Sequence, residues 1–229
     1  MSAKTVYCIC MEQAADLCFK GITSQTKRPL FVAVAGDSGS GKSYLATLLE
    51  DRFQKAALSY TLINHDEFLI SRKDREPMKS TFYTEGQFSG KSHWEILENM
   101  FRLDEYKRVI DDLKSGRETS FLPYSRETGA VSTQPRHIKP ADFILFDTSM
   151  MLDEMDFVIL VDVTQENIIA RKLIRDHDVR TPEQIRDMHT RVQGFYWEDR
   201  GRPAHADIVI DNNDFENVKI TVNLPDAKV

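Results

Sequence analysis

Short apolar runs alternate along the chain with longer segments in which apolar residues recur at helical spacing. Leu30–Ala35 is almost wholly apolar and precedes a glycine-rich stretch, which predicts a buried parallel strand. Lys42–Lys55 places its leucines and Phe53 along one side, which predicts an amphipathic helix. Further strands are predicted at Leu58–Asn64, Phe143–Phe146, Phe157–Val161, Ile208–Ile210 and Val218–Val222. Further helices are predicted at Trp94–Lys114, as one helix or two joined ones, at Gln165–Asp178 and at Pro182–Arg200.

Strands that alternate with helices in this way predict an α/β fold, a three-layer sandwich around a parallel, doubly wound sheet. In such a sheet, ligands bind beyond the carboxyl ends of the strands. Asp66, Asp147 and Asp162 each stand at or just after a predicted strand end, as does the segment Gly36–Ser43. We therefore expect one edge of the sheet to carry the chemistry.

The first 29 residues do not fit the alternating pattern, and we interpret them as an N-terminal extension that precedes the domain. Within them, Glu12–Lys20 has the spacing of a short helix, and the polar stretch Thr23–Pro29 is typical of a linker. The domain then runs over residues 30–229. Residues 71–92 are polar and predict mainly loop, and Phe121–Pro140 contains three prolines and predicts an irregular surface segment.

Composition limits the classes of function that fit the chain. Its 229 residues suit one α/β domain. With 30 basic and 36 acidic side chains the net charge is −6, which argues against a general nucleic-acid binder. No apolar run approaches the roughly 18 residues of a membrane helix, so no membrane partner is expected. Cys8, Cys10 and Cys18 are odd in number and have no histidine close by, which favours reduced thiols in a cytoplasmic protein over a zinc site.

Residues Gly36–Ser43 match the phosphate-binding pattern G-x-x-x-x-G-K-[ST], the P-loop, at every fixed position. The glycines let backbone N–H groups surround phosphate oxygens, and the positive end of the following helix adds to the attraction. Lys42 is expected to reach the β- and γ-phosphates, and the Ser43 hydroxyl to bind Mg²⁺. The candidate nucleotide-binding residues here are Gly36, Asp37, Ser38, Gly39, Ser40, Gly41, Lys42, Ser43 and Tyr44. The predicted sandwich is then of the P-loop NTPase type.

Two classes of P-loop protein fit the chain poorly. The sequence lacks the guanine-reading pattern N-K-x-D of GTPases, and the chain is short for a motor ATPase. A small-molecule kinase that uses ATP is the simplest interpretation, although the pattern itself leaves the choice between ATP and GTP open.

The order of several further motifs resembles the phosphoribulokinase/uridine kinase family of P-loop kinases over about residues 30–211. His65-Asp66-Glu67-Phe68 is similar to the family's D-S-F-Y or D-D-F-Y segment. Pro123-Tyr124-Ser125-Arg126, which follows Leu113-Lys114-Ser115-Gly116, is similar to L-K-x-G followed by P-x-Y-D. The remaining motifs are the strands Phe143–Asp147 and Asp156–Asp162, the arginine-rich segment Arg171–Arg180 and the strand Ala206–Ile210.

The resemblance implies roles for residues in the reaction. The first Asp of the family's D-S-F-Y segment is the catalytic base, and it matches Asp66. The arginine-rich segment implies a small helical lid at about residues 171–200, in which Arg175 and Arg180 offset charge on the transferring group and Arg171 binds nucleotide. The alternatives for these residues are a helix N-cap or solvated carboxylate for Asp66 and a solvated helix face for the arginines.

Other residues are candidates for holding the metal or the acceptor. Ser43, Asp147 and Asp66 are the candidate Mg²⁺ ligands, with Asp147 binding directly or through water and a strand-end cap as its alternative role. Tyr124 and Arg126 are the candidate acceptor-binding residues. Glu67 is a further candidate at the metal, whereas Asp162 is interpreted as structural.

The sequence departs from the family's motifs in three places. Asp147-Thr148 stands where the family has Glu-Gly, Leu69 stands where it has Tyr, and Ser89 stands where uridine kinases have a substrate-binding Asp. The first prediction is therefore a Mg²⁺-dependent kinase that phosphorylates a hydroxyl of a small metabolite, with a nucleoside such as uridine as the first candidate. Pantothenate or a sugar phosphate as acceptor, a catalytically silent nucleotide-binding regulator, and a hydrolase acting on water stay open. A homo-oligomer is also compatible with the sequence.

Overall fold

The structure is a computed structural model, and it describes residues 5–76, 98–149, 154–178, 180–188 and 206–223. The chain forms two compact units. The first consists of Met1–Asn64, Ala141–Ile174 and Pro203–Val229, and the second of His65–Pro140 and Arg175–Arg202.

A seven-stranded sheet in the order β1-β11-β10-β9-β2-β8-β3 forms the centre of the first unit, as far as the described residues show. Its strands are β1 (Thr5–Ile9), β2 (Leu30–Ala35), β3 (Tyr60–Asn64), β8 (Phe143–Thr148), β9 (Phe157–Asp162), β10 (Ile208–Asp211) and β11 (Val218–Val222). The run from β10 to β3 is parallel, whereas β11 is antiparallel to both of its neighbours. The predicted α/β fold with a doubly wound sheet is confirmed, and the antiparallel edge was not predicted.

The core of the first unit lies where the central strands are apolar on both faces. Every residue of β2 and of β8 is buried, as expected for strands covered from two sides. Helices α1 (Met11–Thr23) and α2 (Lys42–Lys55) contribute to the same hydrophobic cluster as alternate residues of these strands. The predicted bounds of β2 and α2 are therefore confirmed, and the P-loop lies between them.

The N-terminal residues take part in this unit. Strand β1 pairs with β11 from Thr5↔Val222 to Ile9↔Val218, and Ala14, Ala15 and Cys18 of α1 are fully buried in the core. The predicted short helix is present and is longer than Glu12–Lys20. Residues 5–23 thus add a strand and a helix to the sheet, although the sequence pattern separates them from the domain.

The second unit is built around aromatic side chains. A 3-10 helix (His65–Phe68) places the Phe68 ring against Phe121, with centroids 4.4 Å apart, and against Tyr106, at 5.2 Å. Tyr106 belongs to α3 (Leu103–Lys114). Two short antiparallel pairs complete the described part, β4 (Thr119–Phe121) with β7 (Arg136–Ile138) and β5 (Tyr124–Ser125) with β6 (Ala130–Val131).

Several predicted boundaries change. Helix α3 begins at Leu103, and Phe101 before it forms a β-bridge with Leu69. The prediction of one continuous helix over Trp94–Lys114 is therefore wrong. The irregular segment Phe121–Pro140 contains short strands. Helix α4 runs over Gln165–Arg175 and α5 over Pro182–Met188. The predictions for residues 77–97, including Ser89, and for 189–200 lie outside the described residues.

Candidate phosphate site and candidate base

The P-loop of the first unit adopts a backbone that side chains would obstruct. Gly41 has φ +101°, in the left-handed region, and a Cβ there would lie 2.7 Å from Nδ2 of Asn212. A Cβ at Gly36 would lie 2.6 Å from both Oγ of Ser40 and the carbonyl oxygen of Val161. Both glycines of the motif are therefore required by close contacts of the loop with its surroundings.

Helix α2 begins at the end of this loop without a side-chain cap. Its N-cap residue is Gly41, which makes no side-chain hydrogen bond, and its first turn contains no acidic residue. The first N–H groups of a helix have no partner within the helix, and together with the helix dipole they attract anions. The start of α2 is thus suited to bind phosphate oxygens.

Asp147, in β8, lies beside the two polar residues that open α2. The Ser43 hydroxyl donates a hydrogen bond of 2.6 Å to Oδ2 of Asp147, and Nζ of Lys42 lies 3.6 Å from Oδ1. Nδ2 of Asn64, the last residue of β3, donates to Oδ2 at 3.4 Å. The Asp147 side chain is only 5% exposed. Parallel pairing of β3, β8 and β2 produces this arrangement, because it aligns the carboxyl ends of the strands.

These residues suit a magnesium ion that is shared with a nucleotide. Oδ1 of Asp147 is buried and accepts no hydrogen bond from the described residues, so it has capacity for a further ligand. Within the described ranges, no group of three or more His, Cys, Asp or Glu side chains could hold a metal by itself. Mg²⁺ is commonly bound through one or two carboxylates together with substrate phosphates and water, and Asp147 with Ser43 fits that mode.

Two residues hold the P-loop from β10 and α4. Nδ2 of Asn212, which follows β10, donates to the carbonyl oxygen of Ser40 at 2.7 Å, and Asn212 is 1% exposed. Arg171 donates through NH1 to the carbonyl oxygens of Gly39, at 3.4 Å, and Ser40, at 3.3 Å, and through NH2 to that of Asn212. Burial lowers the pKa of the Arg171 guanidinium from its ordinary value. Arg171 therefore supports the loop through backbone oxygens.

The candidate base lies in the second unit. Asp66 belongs to the 3-10 helix that follows β3 in the chain, and its Oδ2 accepts a hydrogen bond from NH2 of Arg126. The next residue, Glu67, accepts from NH1 of Arg136. Both carboxylates of this helix are therefore paired with arginines from residues 119–138. The sequence analysis did not predict these two ion pairs.

Other predicted site residues have different surroundings. Tyr124 is 7% exposed, and the guanidinium of Arg75 lies 4.6 Å from its ring centroid. Tyr44 is half exposed, and its hydroxyl donates to Oε1 of Glu12 at 2.7 Å. This hydrogen bond raises the pKa of the Tyr44 hydroxyl. The Tyr44 side chain thus contacts α1, and only its backbone lies at the start of α2.

Arg175 and Arg180 converge on one carboxylate in the second unit. Arg175 donates to both oxygens of Asp176, at 2.6 and 3.0 Å, and NH1 of Arg180 donates to Oδ2 at 3.2 Å. The hydrogen bond to Asp176 raises the pKa of the Arg175 guanidinium. The side chains of Arg175 and Arg180 are 52% and 38% exposed, whereas that of Asp176 is 11% exposed. Asp176 therefore orients both arginines and leaves parts of them accessible.

A family model described as the phosphoribulokinase/uridine kinase family matches residues 31–197, well over half of the chain. The chain belongs to this family. It is similar to uridine-cytidine kinase B of Dictyostelium discoideum, with 24% identity over 199 residues that cover 82% of this chain and 76% of the relative. It is also similar to the uridine kinase of Streptococcus pyogenes serotype M5 (strain Manfredo), with 26% identity over 194 residues that cover 80% and 88%.

The fold is similar to that of a possible uridine kinase from Bacillus stearothermophilus, with a TM-score of 0.61 at 19% identity over 88% of this chain and 99% of the other. Membership of the family confirms the predicted enzyme class, a phosphotransferase that acts on hydroxyl groups of small molecules and uses a nucleotide. The P-loop kinase type of the fold is likewise confirmed. None of the described helices is long and apolar enough to span a membrane.

The sequence patterns did not indicate three residues that lie around the candidate sites. Asn212 follows a strand end, the same signal that identified Asp147, and was overlooked because its side chain carries no charge. Lys172 is 1% exposed, and its stem lies 3.6 Å from the position of a Cβ on Gly39. Asp176 lies within the arginine-rich segment Arg171–Arg180, and no motif distinguishes this carboxylate from its charged neighbours.

Proposed function

We propose that this kinase transfers the γ-phosphate of ATP, with Mg²⁺, to a hydroxyl group of a small metabolite. The observation that carries the proposal is the contact of Asp147 with both Ser43 and Lys42 at the start of α2. A buried carboxylate that contacts both the P-loop hydroxyl and the P-loop lysine suits a metal-bound triphosphate.

The first unit would bind the nucleotide. Backbone N–H groups of Gly36–Ser43 hold the β- and γ-phosphates, and Lys42 offsets their charge. Ser43 and Asp147 would hold Mg²⁺, which would supply positive charge to offset that of the phosphates. Asn212 and Arg171 keep the loop in place through the carbonyl oxygens of Gly39 and Ser40.

The second unit would supply the groups that act on the acceptor. The acceptor oxygen forms the new bond to the γ-phosphorus, the bond to the bridging oxygen of ADP breaks, and the hydroxyl proton passes to Asp66. Arg175 and Arg180, oriented by Asp176, offset charge on the transferring group in the predicted lid. Tyr124 and Arg126 are the proposed acceptor contacts.

The acceptor class follows from the relatives only as a first candidate. Because the curated relatives named above are uridine and uridine-cytidine kinases, a nucleoside is tested first, with pantothenate and sugar phosphates beside it. Location in the cytoplasm and assembly into a homo-oligomer remain predictions from the sequence.

The decisive experiment measures γ-phosphoryl transfer from radiolabelled ATP to a panel of nucleosides, vitamins and sugar phosphates. Asp66→Asn keeps the size of the side chain but removes its basicity, so transfer should fall by about 100-fold or more. ATP affinity should stay near that of the wild type. Asp111→Asn, an exposed change in α3, is the matched control and should retain full activity.

Three outcomes would contradict the proposal. Tight ATP binding without transfer to any acceptor would favour a nucleotide-binding regulator. Steady release of phosphate in the absence of any acceptor would favour a hydrolase. Unchanged turnover in Asp66→Asn would remove Asp66 from the role of base.

A further inference from the structure

Arg126 carries an exposed guanidinium directly beside the candidate base. Its NH2 donates to Oδ2 of Asp66, while 72% of its side chain remains exposed. A guanidinium has several N–H donors in a planar fork, so a single contact with Asp66 leaves an edge open to a second acceptor. Among the groups that the structure describes, Asp66 is the only one to which this guanidinium donates.

The backbone that carries Arg126 is held from two sides. Arg126 begins the turn between β5 and β6, and its carbonyl oxygen accepts a hydrogen bond of 2.7 Å from NH2 of Arg72. The backbone N–H of Arg72 donates to the carbonyl oxygen of Gly129, at 2.7 Å, and the N–H of Gly129 donates to that of Ser125, at 2.8 Å. A fixed turn lowers the entropy cost of binding, since the backbone that carries Arg126 is in place before a ligand arrives.

A second guanidinium lies against the strand that leads into this turn. Arg75 covers the ring of Tyr124, two residues before Arg126, at 4.6 Å. Its Nε is buried and donates no hydrogen bond to the described residues. The Arg75 guanidinium therefore adds positive charge beside the strand that leads to Arg126.

We infer that the acceptor of this kinase carries an anionic group, a carboxylate or a phosphate, which Arg126 binds. The inference rests on the proposed function, because it assumes that Asp66 takes the proton of the acceptor. A base must lie within about 2.6–3.2 Å of the hydroxyl that it deprotonates, so the acceptor comes within reach of the open edge of Arg126. Charge-assisted, bidentate hydrogen bonds to an anionic group are roughly twice as strong as neutral ones, which favours such acceptors over a neutral nucleoside.

The test compares acceptors that differ only in the anionic group. Transfer from ATP is measured with glycerol against glycerate, ribose against ribose 5-phosphate, and uridine as the neutral nucleoside. The wild type should prefer the anionic member of a pair by its kcat/KM, and whichever pair shows the preference separates a carboxylate from a phosphate. Arg126→Gln should raise the KM for the preferred acceptor by about tenfold or more, and Arg126→Lys should recover part of that loss.

Two controls separate this site from a general effect. Arg117→Gln changes another exposed arginine of the same unit, paired with Asp112, and should leave the KM unchanged. The KM for ATP should also be unaffected in Arg126→Gln. A wild-type preference for uridine, or an equal loss for charged and neutral acceptors in Arg126→Gln, would overturn the inference.

If no acceptor is phosphorylated, calorimetry shows whether Arg126 binds an anionic compound. Titration of the same compounds into the wild type, in the presence of a non-hydrolysable ATP analogue, should show binding of an anionic compound that Arg126→Gln weakens. Such binding without transfer would support the anion site and contradict the proposed function. Absence of any binding that depends on Arg126 would overturn the anion site itself.

Discussion

The Ser43 hydroxyl donates a hydrogen bond of 2.6 Å to Oδ2 of Asp147, across residues that are far apart in the chain. Ser43 opens α2, whereas Asp147 lies near the end of β8. The family motif has Glu at this strand end. Although the Asp side chain is one methylene shorter, it still contacts the P-loop hydroxyl directly. The other carboxylate oxygen of Asp147 is buried and has capacity for a ligand. We therefore expect the dependence of activity on Mg²⁺ to change when Asp147 is substituted.

Asp147→Asn should weaken the response of the enzyme to Mg²⁺. The amide preserves the volume of the side chain, but it lacks the negative charge that attracts the ion. The concentration of free Mg²⁺ that gives half-maximal transfer should rise by about tenfold or more, because loss of even a residue that only orients a ligand commonly weakens metal binding by about 10- to 100-fold. Initial rates at saturating ATP and acceptor, measured across a Mg²⁺ titration, give this value.

Asp142→Asn serves as the control for that experiment. Asp142 is exposed and precedes β8 at its other end, so its charge lies at the opposite end of the same strand. Its Mg²⁺ dependence should match that of the wild type. If Asp147→Asn also left the half-maximal concentration unchanged, Asp147 would be a strand-end cap and not a metal ligand.

Gly41→Ala and Gly116→Ala form a matched pair at left-handed positions. Both glycines have positive φ, +101° and +69°, so either alanine should destabilise the fold by roughly 1–2 kcal/mol. Only the Cβ at Gly41 meets a close neighbour, Nδ2 of Asn212, which holds the P-loop. We expect ATP affinity to fall by about tenfold or more in Gly41→Ala alone, measured by titration with a fluorescent ATP analogue. Equal ATP affinities in the two variants would show that the position of the loop tolerates this contact.

Much of the first unit could be predicted because its local signals agree with one another. Leu30–Ala35 and Lys42–Lys55 have the predicted bounds, since an apolar run, a glycine-rich turn and a helical period each mark the same limits. The sequence predicted strand β11 but not its antiparallel direction, because the alternation of side chains along a strand is the same in either direction. Its direction is set by the short connection from β10, which returns the chain beside the same strand.

The site was only partly predictable for a related reason. Motif spacing identifies side chains that one segment supplies, such as Lys42 and Ser43. The pairing of Asp66 with Arg126, and of Ser40 with Asn212, joins residues that are distant in the chain, and no local pattern reports such contacts. The sequence therefore did not predict the partners of these residues, including the Arg126 guanidinium beside the candidate base Asp66.

Asp207→Asn should change the pH dependence of stability in the acid range. Asp207 precedes β10, and burial raises the pKa of its carboxyl although its Oδ2 accepts a hydrogen bond of 2.8 Å from the N–H of Val158. Because the folded pKa is above the unfolded one, the protonated form favours folding, and this stability is lost as the pH rises through the folded pKa. An amide oxygen can keep the Val158 bond without a charge.

The wild type should therefore lose stability relative to Asp207→Asn as the pH increases from below the ordinary Asp range to above it. At neutral pH the variant should be the more stable of the two. Thermal unfolding followed by circular dichroism at a series of pH values measures the difference in Tm. A difference that is constant with pH, or that grows toward acid, would contradict the assigned direction.

Asp176→Asn tests whether Arg175 and Arg180, in the predicted lid, act in the transition state. Asp176 orients both Arg175 and Arg180, so its loss should lower kcat much as Arg175→Ala or Arg180→Ala does, with a smaller change in the KM for ATP. Because the groups share one contact, the double variant Asp176→Asn/Arg175→Ala should lose less than the product of the single effects. Arg186→Ala, an exposed change in α5, is the control and should leave both constants unchanged. A rise in the KM for ATP at constant kcat would instead assign the arginines to ground-state binding of the nucleotide, and strictly multiplicative effects would separate Asp176 from the action of Arg175.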